Sequence, residues 1–305
     1  MEGVSVCVTL RNRAQLFKYC LESLSRQNYD LDKVEICIAD GFSTDGLLDV
    51  IDRYSDVFTF KYACSNRAKA YIPVLTNCPS ADYNVLIKYL PTYDTVIKMD
   101  PEIVIKDDFL ISEIVDGLQK DSDRMYNARA HFTEGDSWYI NYDDVINLYR
   151  DHYMIVDGEP FSRSVFYFCS GFSRSNFITI GGVEELMGTG VGYDDTLFRE
   201  VWKNNYGKYE YEIDAQVIHL WHQPSYQPPS LFELNRRKFE LLKNNSISNS
   251  MCVQEQDGNL EIMKCDRVWG SPDMLSTIYT IKSGKIINTE KVTENSIDIH
   301  LPFGV

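Results

Sequence analysis

The stretch VIKMDPEIVI, residues 96–105, sets Asp100 and Glu102 two positions apart at the end of an apolar run that resumes at Ile103. A proline between two acids favours an extended turn, and residues two apart can both face one site. Two hard oxygen ligands at a strand end suit Mg²⁺ or Mn²⁺ carrying a diphosphate. A pair of solvated acids is the plainer alternative. Two other groupings could do chemistry. Asp194 and Asp195 are adjacent and follow the glycine-rich GTGVG, where acids also serve as helix caps and dipole partners. His219 and His222 lie three apart in HLWH, ahead of a proline-rich stretch, and this spacing does not reveal which imidazole would reach an ion.

The elements that must position these groups alternate. GVSVCVTL (3–10) and VEICIAD (34–40) predict strands, followed by a helix over 14–25 and another through LLDVIDRY. VFTFKYAC (57–64) predicts a third strand, CPSADYNVLIKYL (78–90) a loop entering a helix, and DTVIKM (94–99) a fourth strand. A surface helix is expected over 107–119, and VFYFCSGFSRS (165–175) reads as a strand. An amphipathic helix is expected over 194–204, and a charged one over 231–245. Strand–helix alternation implies an α/β fold whose mostly parallel sheet is flanked by helices, with ligands beyond the carboxyl ends of the strands. Thr9 to Arg13, Asp40 to Asp45 and Asp100 to Glu102 all fall there. Residues 1–245 are expected to form this domain, and 246–305 a small β-rich extension that is a candidate docking module for a protein partner.

Composition narrows the class. The 305 residues are 44% hydrophobic and 25% charged, as in an ordinary globular protein. A formal net charge of −15 argues against a nucleic-acid partner, because phosphate backbones recruit basic surfaces. No apolar run approaches the roughly 20 residues of a membrane helix, and MEGVSVCVTLRNR lacks a basic leader, so a soluble cytoplasmic protein is expected. The eight cysteines form no Cys-x-x-Cys pair and suit buried thiols in a reducing compartment.

Several segments in order resemble the family-two glycosyltransferases of the GT-A (Rossmann-like) fold. VSVCVTLRNRAQLFKYCLESLSRQ resembles that family's opening strand, polar turn and helix. VEICIADGFSTDG resembles its "V-V-D-D-G-S-T-D" segment, and CPSADYNVLIKYLPTYDTVIKMDPEIVI its "A-R-N-x-G-I…L-D-x-D" segment, spanning together with later motifs about residues 3–245. The resemblance implies an inverting, metal-dependent transfer from a nucleotide-sugar donor, a UDP-sugar first, to a glycan acceptor in polysaccharide or surface-glycan synthesis. It implies Thr9, Arg11 and Asp40 at the uracil and ribose, with Ser43 either beside them or capping the next helix. Asn84 stands where the family has the Asn of "A-R-x-x-N", and Asp100 and Glu102 stand as its metal-binding Asp-x-Asp. The family's arginine before that Asn is missing here, where Asp82 and Tyr83 stand, and Arg67 or Lys69 are candidate substitutes.

GTGVGYDDTLFRE resembles the family's "G-W-G-x-E-D-x-D" loop, which implies Asp195 as the base and Asp194 as the grip on acceptor hydroxyls. HLWHQP resembles the segment whose His completes the metal shell, with His219 the first choice and His222 close behind. The helix carrying Asn235 and Phe239 resembles the family's closing helix. Trp138, Tyr139, Trp202 and Trp221 could stack on sugar faces, although more of them are expected in the core. A sugar-nucleotide nucleotidyltransferase is one alternative, but such enzymes open with a glycine-rich phosphate loop, and TLRNRAQ contains no glycine. A non-catalytic glycan-binding relative is the other, and the intact acid pairs and HLWH argue against it.

Overall fold

A computed structural model describes residues 2–66, 79–133, 155–156, 159–160, 168–208, 210–222, 229–243, 251–256, 259–264 and 269–292. The strands are β1 Val4–Leu10, β2 Val34–Asp40, β3 Thr59–Cys64, β4 Thr95–Met99, β5 Ile103–Ile105, β6 Tyr126–Phe132, β7 Ile155–Val156, β8 Glu159–Pro160, β9 Cys169–Ser173, β10 Tyr211–His219, β11 Met251–Gln256, β12 Asn259–Lys264, β13 Ile278–Lys282 and β14 Lys285–Glu290. The helices are α1 Ala14–Ser25, α2 Leu47–Tyr54, α3 Ser80–Tyr89, α4 Leu110–Lys120, α5 Arg174–Thr179, α6 Asp194–Tyr206 and α7 Pro229–Leu242.

Among the described residues ten strands make one sheet, in the order β14-β13-β3-β2-β1-β4-β9-β6-β10-β5. β3, β2, β1 and β4 run parallel, as do β6 and β10, while β9, β5 and β13 pair antiparallel to their neighbours. β1, β2 and β4 are buried at every position, the state of parallel strands covered on both faces, and their β-branched runs suit it. The alternation of side chains along each strand divides the core in two. Val4, Val6, Val8, Ile36 and Ile38 pack with Phe17 and Leu21 of α1, Ile51 of α2 and Ile114 of α4. Cys7, Cys37 and Ala39 face the other way, toward Leu86 of α3, Phe177 of α5 and Trp202 of α6.

Several expected boundaries move. β3 begins at Thr59 because Val57 and Phe58 donate to the carbonyl of Tyr54 and close the end of α2. The strand expected over 165–175 stops at Ser173, whose hydroxyl accepts from the N–H of Asn176 and starts α5. Part of the segment beyond residue 245 joins the sheet, β13 pairing with β3 with Tyr279 opposite Tyr62. β11 and β12 form a separate hairpin. Among the described residues no helix is long and apolar enough to cross a membrane.

Candidate active site

At the carboxyl ends of β1 and β2 two polar loops lock together. Asn12, at φ 52°, donates its N–H to Ser43 Oγ (2.8 Å) and accepts at Oδ1 from the N–H of Thr44 (2.8 Å). Asp45 Oδ2 accepts from the N–H of Ala14 (2.8 Å), placing a carboxylate at the amino end of α1 where the helix dipole favours it. Asp40 is buried and accepts from the Ser43 N–H (3.0 Å), the Ser43 hydroxyl (2.6 Å) and the Tyr62 hydroxyl (2.7 Å). Thr9 lies buried beneath these loops and Arg11 is exposed beside Gly41, where an added Cβ would come 3.2 Å from Arg11 Cβ. Thr9, Arg11, Asp40 and Ser43 thus share one sheet end.

A second grouping depends on the shortest strand flanking the site. β5 is three residues long and pairs antiparallel with β10, which sets Ile103 opposite His219. The N–H of Leu220 donates to the Glu102 carbonyl (3.0 Å). Glu102 Oε1 lies 3.0 Å from His222 Nε2 and 3.6 Å from His219 Nε2. Ligating atoms of the three residues all fall within 4.8 Å of one another. The rings of Phe168 and Phe132 pack against His219 at 4.7 and 5.3 Å between centroids, and Arg13 Nη2 lies 3.4 Å from His222 Nδ1. Burial pushes the Glu102 carboxyl up, but hydrogen bonds and charge from His219 and His222 outweigh it and hold the group well below the usual carboxylate range. Glu102 Oε2 is buried with no hydrogen-bond partner among the described residues, an expensive state for a carboxylate oxygen. One carboxylate, two imidazoles and an unsatisfied oxygen form a donor set that fits a divalent cation. Both histidines left open by their spacing reach it.

Asp100 stands outside this cluster. The N–H of Ile103 donates to the Asp100 carbonyl (3.2 Å), closing a turn over Pro101 and Glu102 in place of the extended geometry expected. The Asp100 carboxylate pairs instead with Lys98 Nζ (2.8 Å) and the Tyr83 hydroxyl (2.7 Å), and Lys98 Nζ lies 4.7 Å from the Tyr83 ring centroid. Burial first, then the charge of Asp100, pushes the Tyr83 phenol up, with a hydrogen bond to Thr9 pulling the other way. Tyr83, Lys98, Asp100, Phe168, Asp194 and Asp195 all line one cavity of about 190 Å³.

The acid pair opens α6 from a strained turn. Gly192 (φ 68°) and Tyr193 (φ 64°) both take the left-handed conformation, which is unfavourable for tyrosine. α7 holds the turn in place. Phe232 and Phe239 pack on the Tyr193 ring at 5.0 and 5.4 Å, and Asn235 Nδ2 donates to the carbonyls of Met187 (2.9 Å) and Gly192 (2.8 Å). Asp195 Oδ1 accepts from the N–H of Thr196 (2.7 Å). Burial, and then the neighbouring Asp194 charge, push the Asp195 carboxyl up to about 6. A carboxylate in that range is ionised at neutral pH yet more basic than an exposed one.

Residues 5–180, more than half of the chain, match the profile of the Glycosyl transferase family 2. The chain belongs to glycosyl transferase family 2. No curated protein matches the sequence. Among solved structures the chain is similar to residues 1–349 of S. aureus TarS in complex with UDP-GlcNAc, with a TM-score of 0.57 and 14% identity over 81% of this chain and 68% of that one. The same TarS fragment in complex with UDP gives a TM-score of 0.53 at 14% identity, over 81% and 67% of the two chains. The longer S. aureus TarS structure gives 0.52 at 16% identity over 78% of this chain and 39% of that one. At these identities the likeness is one of fold, a mixed α/β glycosyltransferase sheet flanked by helices.

Within this family 2 fold some expected residues take other positions. Asn84 is fully buried, bonds the backbone of Val183 through both ends of its amide (each 2.8 Å) and donates to Glu185 Oε1 (2.9 Å). Its side chain ties α3 to the loop before the acid pair. Trp202 is fully buried and donates to the Asp123 carbonyl, so it is core, and Trp221 packs beside Leu16, Tyr19 and Leu220. Trp138, Tyr139, Arg67 and Lys69 lie outside the described residues. Lys98 was missed, although a lysine inside the buried run TVIKM, two residues before Asp100, was a legible signal. Glu185 carried none: it is buried and accepts from Asn84 and from the N–H of Gly270 (2.7 Å).

Proposed function

We propose that this family 2 member is a metal-dependent, inverting glycosyltransferase that moves a hexosyl group from a UDP-sugar to a glycan hydroxyl, in the cytoplasm, for polysaccharide or surface-glycan synthesis. The observation that carries the proposal is the convergence of Glu102, His219 and His222 beside a cavity edged by Asp195, with Phe168 touching both. The solved TarS complexes with UDP and UDP-GlcNAc support a uridine diphosphate donor.

Thr9, Arg11, Asp40 and Ser43 form the nucleoside end of the donor site. Glu102, His219 and His222 would hold a divalent cation, and two imidazoles favour Mn²⁺ over the harder Mg²⁺; such an ion would supply neutralisation of the charge that builds on the diphosphate as the glycosyl bond breaks. Asp195 takes the proton of the acceptor hydroxyl. Its Oδ1 is occupied by Thr196, so Oδ2 is the accepting oxygen. The acceptor oxygen bonds the anomeric carbon as the bond to the diphosphate breaks on the opposite face, and one such displacement inverts the configuration. Asp194 grips acceptor hydroxyls, while Lys98 and Tyr83 fix Asp100 at the cavity wall. The free thiols Cys7, Cys20, Cys37 and Cys169 are buried, which fits a reducing compartment.

UDP release from a panel of UDP-sugars with glycan acceptors tests the assignment. Glu102→Ala is expected to lose both UDP binding and transfer, whereas Asp195→Asn is expected to lose transfer and keep UDP binding. An active Asp195→Asn enzyme would remove Asp195 as the base.

A further inference from the structure

Phe42 holds a backbone conformation that phenylalanine avoids. Its φ is 63°, in the left-handed region, where a Cβ crowds the following carbonyl and glycine is the usual occupant. Aligned on Ser43, Thr44 and Asp45, Phe42 stands where the segment V-V-D-D-G-S-T-D has its glycine. The chain on both sides is pinned. Gly41 donates its N–H to the Leu10 carbonyl (2.8 Å), Ser43 is bound to Asp40 through its N–H and its hydroxyl, and Asn12 bonds both Ser43 and Thr44. Burial does not offset the strain, because Phe42 is 54% exposed. A large apolar side chain is thus kept in a costly conformation and in water, a combination that marks a functional loop more often than a structural one.

The loop in question is the nucleoside end of the proposed donor site. Thr9, Arg11, Asp40 and Ser43 can bond the edges of a base and the hydroxyls of a ribose, but none of the four offers an aromatic face. Proteins that hold an unpaired base cover its flat face with an aromatic ring. Phe42 lies between Gly41, against which the stem of Arg11 packs, and Ser43, which holds Asp40. It brings a ring to the loop that carries the edge contacts.

We propose that Phe42 is the stacking platform for the base of the nucleotide donor, an inference that rests on the uridine diphosphate reading of this sheet end. The polar residues take the edges of the uracil and the ring takes one face. The left-handed turn keeps that ring at the surface, where a ligand can reach it.

Calorimetric titration of UDP and of inorganic diphosphate, each with Mn²⁺, tests this on the full chain and on Phe42→Gly and Phe42→Tyr. Phe42→Gly is expected to weaken UDP binding by about tenfold or more and to leave diphosphate binding within about twofold. Phe42→Tyr, which keeps a ring, should stay within about threefold of the wild type for both ligands. Glycine suits φ 63° and the lost ring is exposed, so Phe42→Gly should not lower the melting temperature. UDP binding that Phe42→Gly leaves unchanged overturns the platform alone, as does an equal loss for diphosphate or a lowered melting temperature. A wild-type chain that binds diphosphate as tightly as UDP also overturns it. A wild-type chain that binds neither ligand overturns the uridine diphosphate reading and the platform with it.

Discussion

Replacing Asp194 with Asn removes the charge that, after burial itself, does most to raise the Asp195 carboxyl to about 6. An unperturbed aspartate titrates near 3.9, so burial and the Asp194 charge together hold the native group well above its ordinary value. The substitution leaves the burial in place, so Asp195 is expected to fall and yet stay above the ordinary value. Carbon-detected NMR titration of the aspartate carboxyls reads this directly, with Asp195→Asn identifying the resonance. The catalytic consequence has a fixed sign. A base must be ionised, so kcat/KM is expected above the raised pKa and lost as pH falls through it. At about pH 5 the wild type then keeps roughly a tenth of its plateau and Asp194→Asn a larger share of its own. Stability runs the other way, because the fold disfavours the ionised form. The Asp195 contribution is present below about pH 4 and lost as pH rises through about 6. Asp195→Asn should therefore stabilise the fold at about pH 8 by up to about 2 kcal/mol after allowing for partial exposure, seen as a higher melting temperature, and leave it unchanged in acid. An Asp195 that titrates near 4 in the wild type, or one unmoved by Asp194→Asn, would refute this reasoning.

Two further perturbations probe the supports of the cavity. Glu185→Ala leaves the buried N–H of Gly270 and one Asn84 donor without their acceptor and should cost about 2 kcal/mol in thermal denaturation, while Glu185→Gln, which keeps an Oε1, should cost less than half as much. Asn235→Ala releases the carbonyls of Met187 and Gly192 from α7. It should lower kcat by about tenfold or more while UDP affinity stays within about twofold, since it loosens the turn under Asp195 and touches no donor residue.

What the sequence made legible is local. The runs in β1, β2 and β4 announce buried parallel strands by their β-branched residues, and the acids at their ends could be read as a ligand-binding edge. Non-local pairing was hidden. β5 is only three residues long, and its antiparallel partner β10 lies more than a hundred positions away, yet that pairing brings Glu102 to His219 and His222. The extended geometry expected for Asp100 and Glu102 fails for a related reason, because a backbone hydrogen bond across Pro101 turns the chain before β5 begins. Asn84 shows the limit of reasoning from motif resemblance, since its amide is spent on Val183 and Glu185, contacts that exist only after folding. The pairing of β13 with β3 is likewise not legible, because nothing within residues 278–290 names β3 as a partner.

Glu102, His219 and His222 are proposed to form a metal-dependent site for a uridine diphosphate donor. Calorimetric titration of UDP with and without Mn²⁺, on the wild type and on Glu102→Ala, reads that directly. Binding is expected to require the metal in the wild type and to vanish in the variant. UDP binding that is equally strong without the metal, or that survives Glu102→Ala, would contradict it.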